Sequence, residues 1–247
     1  MPGSATEYRE SDDGGAVASS APWLLVVVPV INEESALPGC LQALGGHVVR
    51  TVVVDGGSSD STCALALASG VELVHAVRGR ANQMNAGAET LRQERALLFL
   101  HADVRLPEGW LATIKNALSG GARWGRFDVR LEGANRFFRV ISAMMNLRSR
   151  LTGVCTGDQA IFVESSSWRE IGGYARIALM EDIELSVRLR ALAGWPVALK
   201  PCVRVSGRRW ERSGIFKTIL MMWSLRALYW AGVAPATLHR LYYRREP

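Results

Sequence analysis

Short apolar runs in the first half of the chain constrain the fold more than any other feature. WLLVVVPV (23–30), VVRTVVVD (48–55), VELVH (71–75) and ALLFLH (96–101) are rich in valine and leucine, and segments with helical spacing separate them. Runs this apolar are typical of strands buried on both faces of a parallel sheet. Strands that alternate with helices form right-handed βαβ units, so we predict an α/β fold with a doubly wound, Rossmann-like, mostly parallel sheet flanked by helices.

Polar residues follow three of these runs at the point where each strand ends. The first run contains Pro29 near its end and is followed by Asn32 and Glu33, the second ends at Asp55, and the fourth leads into HAD (101–103). In doubly wound sheets, ligands bind outside the carboxyl ends of the strands. The sequence therefore predicts a ligand site at this edge. The alternative is a set of ordinary strand-to-loop junctions where polar residues meet water.

The pattern changes in the second half of the chain. RWGRFDVRL (123–131) alternates like an exposed or mixed strand, a helix with methionines and aromatic residues is predicted over 135–151, and TGDQAIFV (156–163) predicts another strand. A helix that begins with two acids follows over 181–192, and 197–205 is predicted as a short strand or two. The two halves are thus expected to have different roles.

We see no linker rich in Pro, Gly or Ser between the two halves, and 247 residues with 49% hydrophobic content suffice for one core. We therefore predict a single domain over 23–212 with two halves, 23–107 and 108–212. Residues 1–22 are polar, acidic and rich in small residues, which predicts a disordered leader. Residues 213–247 are predicted as a basic, amphipathic helical segment.

The positive charge is concentrated at the carboxyl end. From Gly207 onwards, eight Arg and Lys residues stand against two Glu, a surplus equal to the net charge of +6 for the whole chain. The apolar, aromatic stretch between them is interrupted by Lys217 and Arg226. Such a helix can lie in a membrane interface, or it can pack on the core beneath a solvated basic tail. No recognised motif accompanies the basic residues, so nucleic acid is not a predicted partner.

Cysteine usage predicts the compartment. Cys40, Cys63, Cys155 and Cys202 are scattered without a CxxC pair, which argues against a zinc knuckle or a disulfide framework. We see no secretory signal. A reducing, cytoplasmic location is therefore predicted, with peripheral contact at the inner face of the cell membrane as an added option.

Six motifs, in order, carry a resemblance to a known family. VVVPVINEE, VVVDGGSSDST, GRANQMNAG, LFLHADVRLP, TGDQAIF and MEDIELSVRLR resemble the motifs of inverting family-2 glycosyltransferases with the GT-A fold, over roughly 24–210. The wording is closest to a short bacterial subgroup labelled transferase 2 or arsenosugar-biosynthesis glycosyltransferase. The resemblance implies a nucleotide-binding half (23–107) and an acceptor half (108–212).

The resemblance implies a nucleotide site at the ends of the first strands. Asp55 matches a residue that contacts the nucleoside, although an Asp here can also cap the Gly-Ser-Ser turn. Pro29, Asn32 and Glu33 match positions beside the base or ribose, although Glu33 can also favour a helix N-terminus electrostatically. Arg80, whose guanidinium can bind a diphosphate bidentately, joins this set, and so does Asn85 of the same motif.

The HAD triplet stands where the family has Asp-x-Asp. The resemblance makes Asp103 the ligand of a divalent metal, which neutralises the leaving diphosphate, and carboxylates suit Mg²⁺ or Mn²⁺. His101 replaces the first carboxylate, where it can bind the ribose or help a softer metal such as Mn²⁺, and Ala102 lies between the two. The triplet is thus predicted to contribute to donor and metal binding.

The resemblance also assigns the reacting groups. Asp182 matches the general base, which removes a proton from the acceptor as it attacks the anomeric carbon, and Glu181 would orient it. Two acids at a helix start are otherwise simple partners of the helix dipole. Gly157, Asp158 and Gln159 are predicted to face the acceptor, with a plain turn before a strand as the alternative.

Arg209 and Trp210 match the end of the Gln-x-x-Arg-Trp motif of processive relatives. The leading Gln is replaced by Ser206. Processive synthesis is not predicted, because the sequence lacks the multiple membrane spans that polymer export would require. Arg209 is still predicted to bind diphosphate, and Trp210 to stack on the acceptor.

These residues predict a metal-dependent, inverting glycosyltransferase. It would move a sugar from a nucleotide sugar, with UDP favoured, to a small-molecule or lipid-linked acceptor. A Rossmann oxidoreductase would need GxGxxG after the first strand, where this chain has PVINEE. The remaining alternative is a catalytically silent nucleotide-binding or membrane-peripheral module.

Overall fold

The computed structural model describes residues 22–207, 211 and 214–243. The strands are β1 (Leu24–Val30), β2 (Arg50–Asp55), β3 (Glu72–His75), β4 (Ala96–Phe99), β5 (Val104–Arg105), β6 (Trp124–Glu132), β7 (Ile161–Glu164) and β8 (Val197–Ser206). The helices are α1 (Leu37–Leu44), α2 (Thr62–Ala68), α3 (Arg80–Glu89), α4 (Trp110–Ser119), α5 (Phe137–Thr152), α6 (Ser165–Ile171), α7 (Glu181–Ala193), α8 (Ile215–Trp230) and α9 (Pro235–Tyr243). Arg209, Trp210 and the predicted leader, apart from its last residue Pro22, lie outside the described residues.

The strands form one sheet in the order β3-β2-β1-β4-β7-β6-β8-β5. Strands β3, β2, β1 and β4 are mutually parallel, as the apolar runs predict. Strand β7 pairs antiparallel with both β4 and β6, β6 is parallel to β8, and β5 is antiparallel to β8. The predicted α/β fold with helices on its faces is confirmed, and the sheet becomes mixed from β7 onwards.

Strand β1 shows why its sequence is apolar at successive positions. Leu24, Val26 and Val28 pack into a core with α1, α4 and α5, whereas Leu25 and Val27 pack into a second core with α3, α6 and α7. Both faces of the strand are therefore covered, which is typical of a parallel sheet.

Helix α3 lies very close to the strands because of one glycine. A Cβ atom on Gly87 would come within 2.4 Å of Val27 Cγ1 and 2.8 Å of Val54 Cγ2. The absence of a side chain lets α3 pack directly on β1 and β2, and its N-terminal residues consequently lie at the carboxyl edge of the sheet.

Two predicted element boundaries differ from the structure near the site. The segment between β1 and β2 has helical spacing from Asn32 to Leu44, but helix α1 begins only at Leu37, because a turn comes first, in which Glu33 O accepts hydrogen bonds from Ala36 N and Leu37 N. Strand β7 begins at Ile161 rather than at residue 156, because Gly157–Gln159 forms a 3₁₀ turn. A capping box between Thr156 and Gln159 stabilises that turn.

Strand β6 is buried, whereas its alternating sequence predicts an exposed or mixed strand. Arg126 is fully buried, forms an ion pair with Asp128 and donates a hydrogen bond to Ser149 Oγ at 3.1 Å. Arg150 Nη2 lies 2.6 Å from the second carboxylate oxygen of Asp128. Because these charges satisfy each other inside the sheet, an alternating pattern of charge does not mark exposure here.

The C-terminal helices pack on the rest of the domain. Leu225 of α8 and Leu238 of α9 are buried against Val154, Met180 and Ile183. Within the described part of the chain, no helix combines the length and the apolar character needed to cross a membrane.

Candidate active site

A cleft of about 1650 Å³ opens at the carboxyl ends of β1 and β4. Its floor is polar, and its walls come from α5, α8, α9 and the segment before α7. Ten residues predicted for the site line this cleft: Pro29, Glu33, Arg80, His101, Ala102, Asp103, Gly157, Asp158, Glu181 and Asp182. The structure therefore gathers residues from separate motifs along the chain around one space.

Asp55 and Asn32 organise the turn after β2 and do not line the cleft. Asp55 is buried, and its carboxylate accepts hydrogen bonds from Gly57 N at 2.9 Å and Ser58 N at 3.0 Å. Burial raises the pKa of Asp55, but the hydrogen bonds from Ser58 and Gly57 outweigh burial and lower it. Asn32 Oδ1 accepts a hydrogen bond from Ser59 N at 2.8 Å. These contacts match the turn-capping alternative, and nucleoside binding stays a prediction.

Asn85 is not brought to the cleft. Its Nδ2 donates to Tyr174 O at 2.8 Å, and its Oδ1 accepts from Tyr174 N at 2.9 Å. Both side-chain groups are thus used to hold the segment after α6 against α3, which gives the predicted nucleotide contact no support.

A residue of α3 that the sequence analysis missed occupies a more central position. Gln83 Nε2 donates hydrogen bonds to Val30 O and Val54 O, both at 2.9 Å, and Gln83 lines the cleft. It therefore joins the carboxyl ends of β1 and β2. No feature of the sequence distinguishes Gln83 from the polar residues beside it.

Gln159 is fully buried and does not line the cleft. Its Oε1 accepts a hydrogen bond from Thr156 N at 3.1 Å within the capping box. The predicted acceptor contact by Gln159 is therefore not supported. Gly157 and Asp158 of the same turn do line the cleft.

His101 packs beneath the 157–159 turn. A Cβ atom on Gly157 would lie 2.4 Å from His101 Cε1 and 2.5 Å from Nε2, so the imidazole fits only against a glycine. His101 Nδ1 lies 3.6 Å from Asp158 Oδ1, and Nε2 is buried without a hydrogen-bond partner. The imidazole therefore supports the turn, while Asp103 is exposed within the cleft.

Glu33, Asp103 and Arg80 form the charged floor near β1 and β4. Burial raises the pKa of Glu33, and the negative charge of Asp103 raises it further. The side chain of Arg80 is exposed to solvent, but it lies within the cleft, where protein atoms of the walls also surround it. Burial lowers the pKa of Arg80, but the carboxylates of Glu181 and Asp158 outweigh burial and raise it.

The donor set of this floor suits a hard divalent cation. Mg²⁺ is commonly bound by one or two carboxylates together with substrate phosphates. Asp103 and Glu33 supply carboxylate oxygens that repel each other, and a cation would relieve that repulsion. A different set of donors, from Asp55, Cys63 and His75, lies within 4.8 Å of one another, and it does not line the cleft.

Glu181 and Asp182 enter the cleft from the start of α7. Met180 precedes them with φ of 71°, an uncommon conformation for a residue other than glycine, and it turns the helix start towards the cleft. Asp182 Oδ1 accepts from Ile183 N at 2.8 Å, and Oδ2 accepts from Gly157 N at 3.2 Å. Burial and then the charge of Asp182 raise the pKa of Glu181 to about 7.

Two arginines from the cleft walls are further residues that the motifs did not identify. Arg148 of α5 and Arg226 of α8 both line the cleft. Neither belongs to a motif of the resemblance. They belong to separate helices, and only the folded chain shows that both line the same cleft.

Comparison with known proteins identifies the family. The sequence profile described as glycosyl transferase family 2 matches residues 25–173, more than half of the chain. No curated protein matches the chain in sequence.

Solved structures are similar in fold. The chain resembles TarS 1–349 from S. aureus in complex with UDP, with 15% identity, a TM-score of 0.60, and coverage of 74% of this chain and 60% of that one. It also resembles glucosyl-3-phosphoglycerate synthase from Mycobacterium tuberculosis, in complex with Mn²⁺, UDP-glucose and phosphoglyceric acid, with 17% identity and a TM-score of 0.55. That match covers 76% of this chain and 71% of the other. At these identities the likeness concerns the fold, and it confirms the predicted GT-A architecture. The match over 25–173 shows that the chain belongs to glycosyl transferase family 2.

Proposed function

We propose that the protein transfers a sugar, with inversion at the anomeric carbon, from a nucleotide-diphosphate sugar to an acceptor bound in the same cleft. The observation that carries this proposal is the meeting of two carboxylate pairs. Glu33 and Asp103 lie at the strand ends, Glu181 and Asp182 lie at the start of α7, and all four line one cleft. The first pair suits a charged leaving group and the second suits proton removal.

The donor would lie on the floor of the cleft. Arg80 supplies positive charge for a diphosphate, and Arg is well suited to bidentate phosphate contacts. UDP is the favoured nucleotide because TarS was solved with UDP and the mycobacterial synthase with UDP-glucose. Arg209 stays a proposed diphosphate ligand outside the described residues.

A divalent cation, Mg²⁺ or Mn²⁺, would be held by Asp103, with Glu33 as the second available carboxylate. Bound there, it would neutralise charge on the leaving diphosphate. The mycobacterial synthase was solved with Mn²⁺ and with Mg²⁺. The place of His101 under the 157–159 turn favours a hard, oxygen-rich site over one with a histidine ligand.

Asp182 would act as the general base. An acceptor hydroxyl attacks the anomeric carbon, the bond from that carbon to the diphosphate oxygen breaks, and the hydroxyl proton passes to Asp182. The two backbone amides that bind the carboxylate fix its orientation and leave lone pairs for that proton. Glu181, whose pKa burial and the charge of Asp182 raise to about 7, would orient the base.

The acceptor would occupy the other side of the cleft, against α5, α8 and α9. A volume of about 1650 Å³ exceeds the range of roughly 300–1,000 Å³ for a single drug-sized ligand, so donor and acceptor can be bound together. Either a small molecule, as the subgroup resemblance favours, or a lipid-linked acceptor fits this space.

Peripheral membrane contact through α8 is part of the proposal. Phe216, Leu220, Trp223 and Trp230 are exposed on this helix beside Lys217. Aromatic and basic residues on one helix are typical of a membrane interface. The protein would then act at the cytoplasmic face of the membrane.

Calorimetric titration tests the donor site directly. UDP, GDP and NAD⁺ are titrated into purified protein with Mn²⁺ and with EDTA. We expect UDP to bind tightly only with Mn²⁺, and the other two nucleotides to bind more weakly. Equal UDP binding in EDTA would remove the metal from the proposal. Failure of UDP and GDP to bind at all would remove nucleotide-sugar transfer and favour a catalytically silent module.

A further inference from the structure

The two cleft arginines have buried N–H groups that bind nothing in the structure. Arg148 Nη1 donates to Val154 O at 3.2 Å, but Arg148 Nη2 is buried and has no hydrogen-bond partner. Arg226 Nε is likewise buried without a partner. A buried donor that forms no hydrogen bond costs free energy, and a charged donor costs more. In the described part of the chain, both arginines therefore line the cleft, and each has an N–H group without a hydrogen-bond partner.

The charges around the two arginines do not neutralise them. Burial lowers the pKa of Arg148 to about 10, and repulsion from Arg226 acts in the same direction, against the attraction of Asp182. Burial lowers the pKa of Arg226, with Asp182 and Asp158 opposing it. Cys155 and Arg126 are the other groups that face Arg148. Two cations that repel each other inside one cleft are best stabilised by an anion that contacts both.

Apolar residues of the cleft wall lie around the two arginines, which together form a cationic spot (Arg148 and Arg226). Its cleft-lining residues are Met144, Leu147 and Leu151 of α5, and Ile219, Met222 and Trp223 of α8. Leu147 and Trp223 expose 56% and 62% of their surface, so the wall is open to a ligand. Covering apolar area of this kind with an apolar chain is favourable, because it removes that area from water.

We propose that the acceptor is a phosphorylated amphiphile, whose phosphate binds between Arg148 and Arg226 and whose apolar chain lies along α5 and α8. This inference rests on the proposed function, because it names the acceptor class of the same cleft. Asp182 acts electrostatically on both arginines, so the bound phosphate lies on the side of the base. The phosphate is a recognition group, and a hydroxyl of the same molecule reacts.

Arginine suits this role because its planar guanidinium can bind phosphate through two N–H groups at once. A neutral small acceptor would bring no negative charge to add to that of Asp182 and Asp158 beside the two arginines. An inorganic anion would fill the cationic spot and leave the apolar wall in water. Only a ligand with both parts satisfies the two observations.

Three probes separate the parts of this proposal. Farnesyl phosphate carries both parts, farnesol lacks the phosphate, and inorganic phosphate lacks the chain. Each is titrated calorimetrically into the full-length protein, and UDP with Mn²⁺ is titrated into the same preparations. We expect farnesyl phosphate to bind at least about tenfold more tightly than either of the others. Equal binding of farnesol overturns the phosphate site, and equal binding of inorganic phosphate overturns the apolar part.

Variants then assign the binding to the arginines. Arg226→Gln should weaken farnesyl phosphate at least about tenfold, Arg226→Lys should keep part of the affinity, and UDP affinity should not change. Arg139→Gln is the matched control, because it removes the same charge from an exposed position of α5 outside the cleft. Arg148→Gln is the second test, with thermal melting to verify folding, since Arg148 also binds Val154 O.

Unchanged affinity in both glutamine variants overturns the proposal. The titrations of UDP and farnesyl phosphate distinguish failure of this proposal from failure of the proposed function. If UDP does not bind but farnesyl phosphate binds in an arginine-dependent way, the transferase proposal fails and the phosphate site stands. If UDP binds and farnesyl phosphate does not, the reverse holds.

Discussion

The two sides of the cleft differ in how far their polar groups are already satisfied. On the strand side, Gln83 in the cleft binds backbone oxygens at two strand ends, and Asp55 and Asn32, outside the cleft, bind backbone N–H groups of the turn after β2. On the helix side, Arg148 and Arg226 keep buried donors without partners. Apart from His101 Nε2, these strand-side groups are therefore held in place by hydrogen bonds, whereas the two helix-side arginines keep N–H groups without partners. Groups that are already positioned suit a constant ligand such as the proposed nucleotide, and under our proposal the unsatisfied groups would select the acceptor.

Asp182 joins the two sides, because its carboxylate binds Gly157 N and also acts on both arginines. Replacing it with Asn keeps the size of the side chain but removes the base. We expect Asp182→Asn to lower the rate of sugar transfer by about 10²–10⁴-fold. UDP affinity should stay nearly intact, because the proposed donor site lies at the strand ends and not at the start of α7. Turnover of UDP-sugars and UDP titration measure the two effects.

The control for this prediction is Glu170→Gln, which removes a carboxylate from the exposed surface of α6. Its transfer rate should equal that of the wild type. A wild-type rate in Asp182→Asn would show that another group removes the proton.

Glu181 should make the protein less stable as the pH rises. Its pKa is about 7 in the folded chain against an ordinary value of 4.5, and burial is the largest cause. Between these values the folded chain holds a proton that the unfolded chain has lost, so the free energy of unfolding falls as pH rises from 4.5 to 7. The loss amounts to about 3 kcal/mol at pH ~8.

Glu181→Gln should remove that loss. The variant should gain up to about 3 kcal/mol over the wild type at pH ~8, compared with their difference at pH ~5. Urea unfolding across this pH range measures the gain. Glu89→Gln, an exposed carboxylate of α3, should show no such change. If the difference in the free energy of unfolding between Glu181→Gln and the wild type does not change with pH, the pKa of Glu181 is not raised in the folded chain.

The close packing of α3 on the sheet can be tested with Gly87→Ala. A methyl group here would meet Val27 at 2.4 Å, so the strand side should lose about 1–3 kcal/mol of stability. Gly39→Ala is the matched control in α1, where nothing lies within 4 Å of the new Cβ. It should stabilise the chain by up to about 1 kcal/mol through helix propensity. Equal melting temperatures of the two variants would contradict this packing.

The strand side was largely predictable from the sequence, because parallel strands bring their carboxyl ends to one edge wherever they lie in the chain. The exceptions are side chains whose direction depends on distant backbone. Asn85 binds the backbone of Tyr174, 89 residues away, and Gln159 turns inward to cap its own turn. Neither contact has a local signal.

The helix side was much less predictable. The motif around Asp182 located the start of α7, but Arg148 and Arg226 come from helices without a shared motif. The charges of β6 are a further example, since Arg126 and Asp128 neutralise each other inside the sheet and imitate an exposed pattern. Long-range pairing of charges decides burial in these places, and periodicity alone does not report it.

Asp103 offers the sharpest distinction between the two sides. The side chain is exposed in the cleft, so Asp103→Ala should leave folding unchanged and weaken UDP at least about tenfold in Mn²⁺. In EDTA, the variant and the wild type should bind UDP equally weakly. Glu108→Ala, an exposed carboxylate outside the cleft, should keep the wild-type response to Mn²⁺. Farnesyl phosphate should bind Asp103→Ala as it binds the wild type, because its proposed site lies on the helix side. An identical response to Mn²⁺ in Asp103→Ala and the wild type would exclude Asp103 as a metal ligand, whereas a parallel loss of farnesyl phosphate would show that the two sides are coupled.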